Sequence, residues 1–417
     1  MWVPTIIRSP PEVLGLMDSI DFQLRTRLIF GQNSIDRLGE LAADLGASRA
    51  LVVSDPGIVS AGHFQRGVDS LEKAGITVSA FQAVHENPTT ADVDAGVEVA
   101  RVQRPDLLVA IGGGSSMDCA KGINFIYSCG GKMEDYWGIG KATADMLPLI
   151  AVPTTSGTGS EAQSFALISH ADTHVKMACG DPRAACRIAL LDPALTVTQP
   201  PRVTALTGID AISHAIESQV TSKRSPLSSS FSRKAWQLLS SGFPQVVSRP
   251  DDIDARGHMQ LGAFFSGLAI ETSMLGAAHA LANPLTARFD ITHGQAVGVM
   301  LPQVIRFNAP AVEPLYAELW HDVVQAAGAV PIGGESEASA ALASAVAGSS
   351  AAPAERLAAY VEHLVALAGL KTRLEALGIP KDALGQLAED ATSQWTGTFN
   401  PRSLSQDDFL ELYRQRF

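Results

Sequence analysis

Short, nearly continuous apolar runs alternate with helix-spaced segments through the first 200 residues of this chain, and after that only the helical spacing remains. The runs are RALVVSD at 49–55, ITVSAFQAV at 76–84, DLLVAIGGG at 106–114, LPLIAVP at 147–153 and RIALLDP at 187–193. Between them, helical spacing covers about 60–74 and 89–103, where Val93, Val97 and Val99 sit among small residues. Alternation at this interval predicts right-handed βαβ units around a parallel sheet. The pair 164–169 and 174–180 flanks the turn HADTH and predicts a hairpin, with His170 and His174 solvated in or beside the turn. From 200 on, prolines near a first turn open a series of helices, expected at 204–222, 226–247, 253–273 and 273–285. Asn283 precedes Pro284, so a kink or an end is expected there. Helical patterning continues after His293 and over 354–378, and two more helices close the chain. Residues 1–20 read as a loose tail, and the Ala/Gly/Ser-rich stretch 328–356 as an insertion. The expected fold is therefore an α/β domain over 1–200 followed by an all-helical domain over 201–417.

Ligands of a parallel sheet sit at the carboxyl ends of its strands, and two such ends are rich in glycine and hydroxyls. IGGGSSMDCAKG at 111–122 offers three successive glycines, Ser115 and Ser116 at the start of a helix. Close backbone approach and the helix dipole suit a pyrophosphate. It departs from the usual dinucleotide fingerprint, because Met117 stands where a third glycine would be. PTTSGTGSE at 153–161 is the second polar strand end and would face the first across a dinucleotide cleft. Asp55 closes an upstream strand. A carboxylate there bonds both ribose hydroxyls of an adenosine and repels a 2′-phosphate, which favours NAD, although Asp before Pro also starts turns.

The helical half holds the second chemistry. GIDAISHAIE at 208–217 places Asp210 and His214 four apart, on one helix face and about 6 Å apart along its axis. GAAHALANPL at 276–285 brings His279, and DITHG at 290–294 brings His293. One carboxylate and three imidazoles suit a first-row divalent metal such as Fe²⁺ or Zn²⁺. The small apolar flanks of His214 and His279 predict burial, and buried polar groups need partners. His258, His321 and His363 sit on amphipathic stretches without evident chemistry.

Composition narrows the setting. Acidic residues outnumber basic ones 43 to 31, and a net charge of −12 argues against nucleic acid or an anionic membrane as partner. The longest apolar stretch, near 261–270, is too short to span a bilayer. The first residues carry early prolines and no signal-peptide pattern. Cys119, Cys129, Cys179 and Cys186 show no CxxC spacing, which fits a reduced, cytoplasmic protein with packing cysteines rather than nucleophiles.

Taken in order, GGGSSMD, PTTSGTGSE, LLDPALT, GIDAISHAIE and the NPR at 400–402 resemble the landmarks of the iron-containing (group III) alcohol dehydrogenase family. The resemblance covers about 22–310 and returns at 372–417. It implies an active site in the cleft between a dinucleotide-binding domain and a helical domain. It places Asp210, His214, His279 and His293 on the four metal-ligand positions, with Fe²⁺ expected first and Zn²⁺ second. It places Gly113, Gly114, Ser115, Asp118, Thr154, Thr155 and Thr158 on cofactor-contacting positions, together with Asp55, Asn87, Lys176 and Leu195. Asn283 and His279 would stand at the reacting centre. Many members carry a further histidine where this chain has Asn283, and Asn cannot relay a proton by titrating.

The implied activity is hydride transfer between an alcohol and NAD, or aldehyde reduction in reverse, by a homodimer or higher homo-oligomer. The residues leave two alternatives open: a dehydroquinate synthase-like lyase, which would want clustered Lys and Arg for a phosphorylated substrate, and a non-catalytic nucleotide-binding module. Arg288 and Arg306 are isolated in the helical half, and all four ligand positions are filled, which speaks against a metal-free maleylacetate reductase. The substrate pocket is expected near Phe165, Met274, Asn283 and the Tyr136–Trp137 loop.

Overall fold

In the computed structural model, residues 22–173, 175–329 and 351–417 are described. The expected tail at 1–20, His174 and most of the 328–356 insertion lie outside them. Nine strands occur among the described residues: β1 (Arg27–Phe30), β2 (Arg49–Val53), β3 (Thr77–Phe81), β4 (Leu107–Gly112), β5 (Gly138–Ile139), β6 (Leu149–Pro153), β7 (Phe165–Ser169), β8 (Lys176–Gly180) and β9 (Ile188–Leu191). Six of them form a parallel sheet in the order β1-β9-β6-β4-β2-β3. Alternation decides its two faces. Leu51, Val53, Leu108 and Ala110 enter one core, while Ala50, Val52, Leu107, Val109 and Ile111 enter the other. Both faces are covered, so the central strands read as continuous apolar runs rather than alternating ones. The covering helices are α1 (Leu38–Asp44), α2 (Pro56–Ser60), α3 (His63–Lys73), α4 (Thr90–Gln103) and α5 (Gly114–Cys129). The expected hairpin is present: β7 and β8 pair antiparallel, and β5 adds a third, two-residue strand that no sequence pattern announced.

From residue 201 the described chain is helical. It forms α6 (Pro201–Val220), α7 (Pro226–Ser248), α8 (Ile253–Thr272), α9 (Ala277–Phe289), α10 (His293–Ala329), α11 (Pro353–Leu367), α12 (Leu384–Thr392) and α13 (Gln406–Gln415). Pro201 and Pro226 occupy first-turn positions, where a missing N–H costs nothing. α6 is buried along most of its length and packs with α7, α9, α10 and α11 in one apolar core. Two helix ends differ from the sequence reading. α9 runs through Pro284 to Phe289 and stops at Asp290, which is left-handed at φ 53°. α11 stops at Leu367 instead of continuing to 378, because Gly369 takes a left-handed turn at φ 69°. α10 is broken at Val312, between Pro310 and Pro314. No single helix among the described residues is long and apolar enough to cross a membrane.

The two halves meet along α8. Its Phe264 and Leu268 pack with Ala162, Ala189 and Leu191, and its Gln260 Nε2 donates to the Pro153 carbonyl at 3.0 Å. At Gly159 and Gly267 the two backbones touch directly. A Cβ on Gly159 would lie 2.7 Å from the Ala263 carbonyl oxygen, and one on Gly267 would lie 2.4 Å from that of Gly159.

Candidate active site

The first glycine loop follows β4, the strand at the centre of the sheet. Gly112 has φ 157°, Gly113 stands as the N-cap of α5, and no side chain caps that helix. Its first-turn N–H groups therefore have no side-chain acceptor, and such groups suit an anion. The second loop follows the neighbouring strand β6 and is tied to the first by the Thr154 N–H to Gly112 carbonyl bond, 2.9 Å. A Cβ on Gly113 would meet the Thr155 methyl at 3.3 Å, and one on Gly114 would meet that of Thr158 at 2.7 Å. The close approach of the loops therefore favours glycine at Gly114, where a Cβ would force Thr158 to move, and leaves little room at Gly113. Thr154 Oγ1 and Ser156 Oγ are buried without a hydrogen-bond partner, the state expected of groups that meet a ligand.

The other residues assigned to the cofactor fall into three sets. Ser115, Asn87 and Lys176 form one chain along the cleft: the Asn87 N–H donates to Ser115 Oγ at 3.2 Å, and Lys176 Nζ donates to Asn87 Oδ1 at 3.4 Å. Asn87 is left-handed at φ 52°. Asp55 is partly committed, capping α2 through the Ile58 N–H (3.1 Å) and accepting from Ser116 Oγ (3.2 Å). Asp118 and Leu195 lie behind the loops rather than on them. Leu195 is 1% exposed and packs in the sheet core. Asp118 accepts from Ser160 Oγ at 2.7 Å; burial pushes its pKa up, against the pull of Lys121 and Ser160. Lys121, which sequence reasoning missed, is wholly buried and donates to Ser160 O (2.7 Å), Ser160 Oγ (2.8 Å) and Phe165 O (2.9 Å). It clamps the second loop onto the helix that starts at the first.

The polar cluster of the helical half lies next to that loop. Asp210, His214 and Glu217 are buried on one face of α6, at i, i+4 and i+7. His279 sits in the first turn of α9, and His293 is the first residue of α10. The Nε2 atoms of His214, His293 and His279 lie 3.3, 3.6 and 3.8 Å from Asp210 Oδ1. The ligand atoms of Asp210, His279 and His293 all lie within 4.8 Å of one another. Asp210 Oδ1 and His279 Nε2 are buried without a hydrogen-bond partner. A carboxylate oxygen and an imidazole nitrogen that converge and lack donors fit a divalent cation.

Glu217 supplies what the sequence reading lacked. Its Oε2 lies 2.5 Å from His279 Nδ1. A carboxylate only accepts, so Nδ1 carries a proton, and Nε2 is the nitrogen that would face a metal once its own proton has left. Its spacing from Asp210 and His214 was visible in HAIE, but its partner on α9 was not. Electrostatics follow the same geometry. Burial pushes Asp210 up, yet His214, His279 and His293 outweigh it and hold the carboxyl below the usual range. Burial pushes His279 down, yet Glu217 and Asp210 raise it to about 9. Burial dominates at His214, which is lowered; the surrounding protein also lowers His293, to about 3, although that side chain is 31% exposed. In the cleft, Lys176 is lowered by desolvation, against the pull of Asp118, Asp210 and Glu86.

Asn283 lies one turn beyond His279, half-buried, with its Nδ2 donating to Gln394 Oε1 at 2.9 Å. Phe165 and Met274 are also half-buried, and Trp137 is exposed. Tyr136 is buried with its hydroxyl on the Gly130 carbonyl, which removes it from the expected pocket. His170 is half-buried beside Glu134 at 3.2 Å rather than fully solvated, and His258 is exposed. The cysteines are free; burial raises the thiols of Cys179 and Cys186 to about 12 and 11, which leaves them no nucleophilic role.

A parallel sheet with two glycine-hydroxyl loops, set against helices that bear a carboxylate–trihistidine cluster, defines a metal-dependent dehydrogenase. Comparison with known proteins sharpens this. The model of the iron-containing alcohol dehydrogenases matches residues 25–193, and that of the C-terminal region of the Fe-containing alcohol dehydrogenase family matches 204–417. The NAD-dependent methanol dehydrogenase of Bacillus methanolicus is 30% identical over 93% of this chain and 97% of its own length. The 1,3-propanediol dehydrogenase of Klebsiella pneumoniae is 31% identical over 93% of this chain and 96% of its own. The crystal structure of a 1,3-propanediol oxidoreductase superposes with a TM-score of 0.86 at 30% identity, covering 96% of this chain and all (100%) of that one. The chain belongs to the iron-containing alcohol dehydrogenase family, and it is a metal-dependent oxidoreductase acting on CH–OH groups. The lyase and the non-catalytic module find no support in these matches.

Proposed function

We propose that the chain is an NAD-dependent alcohol dehydrogenase and aldehyde reductase whose metal, Fe²⁺ first and Zn²⁺ second, is held by Asp210, His214, His279 and His293. The convergence of Asp210, His279 and His293, whose ligand atoms lie within 4.8 Å of one another, carries this reading, with His214 Nε2 3.3 Å from Asp210 Oδ1 beside them and Asp210 Oδ1 and His279 Nε2 unpartnered. When bound, the metal supplies Lewis acidity toward the alcohol oxygen, and NAD accepts the hydride. The protein's own part is placement. The first turn of α5 and the loop 153–161 hold the dinucleotide, with Gly113, Gly114, Ser115, Thr154, Thr155 and Thr158 nearest it. Lys176 and Asn87 border the same side. Glu217 keeps His279 in the tautomer that ligates. The wall of half-buried Phe165, Met274 and Asn283 receives a small alcohol or aldehyde, the substrate class named for the relatives acting on methanol and 1,3-propanediol. Asn283 cannot take the alcohol's proton, so the proton leaves through the open side of the cleft, where the His293 side chain is 31% exposed. Free thiols, three of the four buried, support a cytoplasmic setting, and a homodimer or higher homo-oligomer is the assembly we propose.

The test is an NADH-absorbance screen over alcohols and aldehydes, with metal stripped and then restored one ion at a time. Alcohol-dependent NADH formation that disappears on stripping and returns with one or more divalent ions is expected. Full activity in the metal-free protein, or in His279→Ala, overturns the reading.

A further inference from the structure

The NPR landmark at 400–402 has no part in the chemistry above, yet it is built into a junction of the three helices that carry the ligands. α6 ends on it: the Phe399 carbonyl accepts from the Ser222 N–H (2.8 Å) and from Thr221 Oγ1 (3.1 Å). α9 begins on it. Its N-cap, Gly276, offers no side chain, so the Ala277 N–H donates to Asn400 Oδ1 (3.3 Å) and the Ala278 N–H to Glu217 Oε1 (2.6 Å). α10 passes through it. Asn308 and Asn400 exchange side-chain amide bonds of 2.9 and 2.7 Å, and the Arg402 guanidinium donates to the Phe307 carbonyl while lying 3.9 Å over the Phe307 ring.

Asn400 is fully used. Its second amide N–H goes to the Arg402 carbonyl at 2.8 Å, so two donors and both lone pairs are engaged. The side chain is buried, as is that of Asn308. A Cβ on Gly276 would lie 3.0 Å from Glu217 Oε1 and 3.1 Å from Asn400 Oδ1. Glu217 and Asn400 therefore share one cradle at the first turn of α9, and His279 is the third residue of that helix. The same Glu217 holds His279 Nδ1.

We propose that Asn400 is a positioning residue for the metal site: with Asn308 and Arg402 it fixes the first turn of α9 against α10, and by holding that turn beside Glu217 it sets where His279 stands. This rests on the metal-site reading above. A ligand constellation works only when its supports hold it to within about 0.5 Å, and the C-terminal segment touches every helix that contributes a ligand. Its role is thus in metal affinity as well as in folding.

The test compares Asn400→Ala, Arg402→Lys and the control Tyr360→Phe. Tyr360 donates a buried bond to the Ser240 carbonyl (3.0 Å) between α11 and α7, neither of which carries a ligand. Each metal-free protein is titrated with Zn²⁺ against a chromophoric chelator, and its thermal midpoint is measured separately. Asn400→Ala is expected to weaken Zn²⁺ binding about tenfold, the low end for groups that orient a ligand. Arg402→Lys, which loses the planar fork, weakens it by a smaller factor, and Tyr360→Phe leaves it unchanged at a comparable loss of midpoint. Parent-like Zn²⁺ affinity in both variants overturns the proposal, as does an equal loss in the control. If Asn400→Ala does not fold, Arg402→Lys decides alone. A parent protein that binds neither Zn²⁺ nor Fe²⁺ overturns the metal-site reading instead, and if it binds Fe²⁺ alone the same comparison is made with Fe²⁺.

Discussion

Glu217→Gln probes the metal site without touching a ligand. Glu217 is 3% exposed and accepts two short bonds, from the Ala278 N–H at 2.6 Å and from His279 Nδ1 at 2.5 Å. Glutamine keeps the shape but supplies one acceptor oxygen, so its amide NH₂ must face one of the two donors. If it faces Ala278, a buried N–H is left unsatisfied, at a cost of about 1–3 kcal/mol. If it faces His279, the ring must move its proton to Nε2, the atom aimed at Asp210. The second arrangement removes a metal ligand outright, and the first loosens the turn that carries it. Groups that orient a ligating histidine are worth about 10–100-fold in metal affinity, or about 1.4–2.7 kcal/mol. The assay is Zn²⁺ titration of the metal-free protein against a chelator, with circular dichroism to confirm folding. A dissociation constant within about twofold of the parent, far below the 10-fold floor for such groups, would show that Glu217 is only a helix cap and refute the reasoning.

Four further outcomes are expected. At pH 7.5, His214 and His293 are already neutral while His279, raised to about 9, holds a proton. Metal binding should therefore release about one proton, measured by calorimetry in buffers of different ionisation enthalpy; release of none contradicts the assignment. The same raised pKa stabilises the metal-free protein fully below the unfolded histidine pKa of about 6.5, and that stabilisation is lost as pH rises through 9. Lys121→Met leaves three acceptors and the buried Asp118 without their cation. It should cost about 3–5 kcal/mol of stability and weaken NAD binding, and an unchanged unfolding midpoint would refute the clamp. Asn283→His adds a titratable group one turn from His279 and should alter the pH profile of alcohol oxidation; an unchanged profile removes this position from the proton's path.

Much of the site was legible because its chemistry is local. Glycines and hydroxyls at strand ends, and Asp210 with His214 on one helix face, announce themselves through spacing. Glu217, Lys121 and Asn400 did not, since each acts on a residue distant in sequence. Ala277 and Asn400 are separated by 123 positions, and nothing in HAIE or NPR names the other. Helix ends failed for a similar reason. An internal proline costs a helix about 3 kcal/mol, but burial of α9 on both sides of Pro284 outweighs it. The helical pattern at 354–378 overran because Gly369 provides the left-handed turn that ends α11, and periodicity alone does not see it. The resemblance put Asp118 among the cofactor-contacting positions, and the sequence could not show that its side chain turns inward to Ser160.

The bare-backbone contact of Gly159 with Gly267 acts as a gauge block. Next to Gly267, Ser266 Oγ donates to the Ala211 carbonyl at 3.1 Å, and Ala211 adjoins Asp210. The loop 153–161 and Asp210 are thus separated by a fixed stack of bare backbone and one short, buried serine hydroxyl. Any Cβ inserted there would act as a shim, and hydride transfer, which tolerates little change in the gap between donor and acceptor carbons, would register a spacing error made at a position that touches neither.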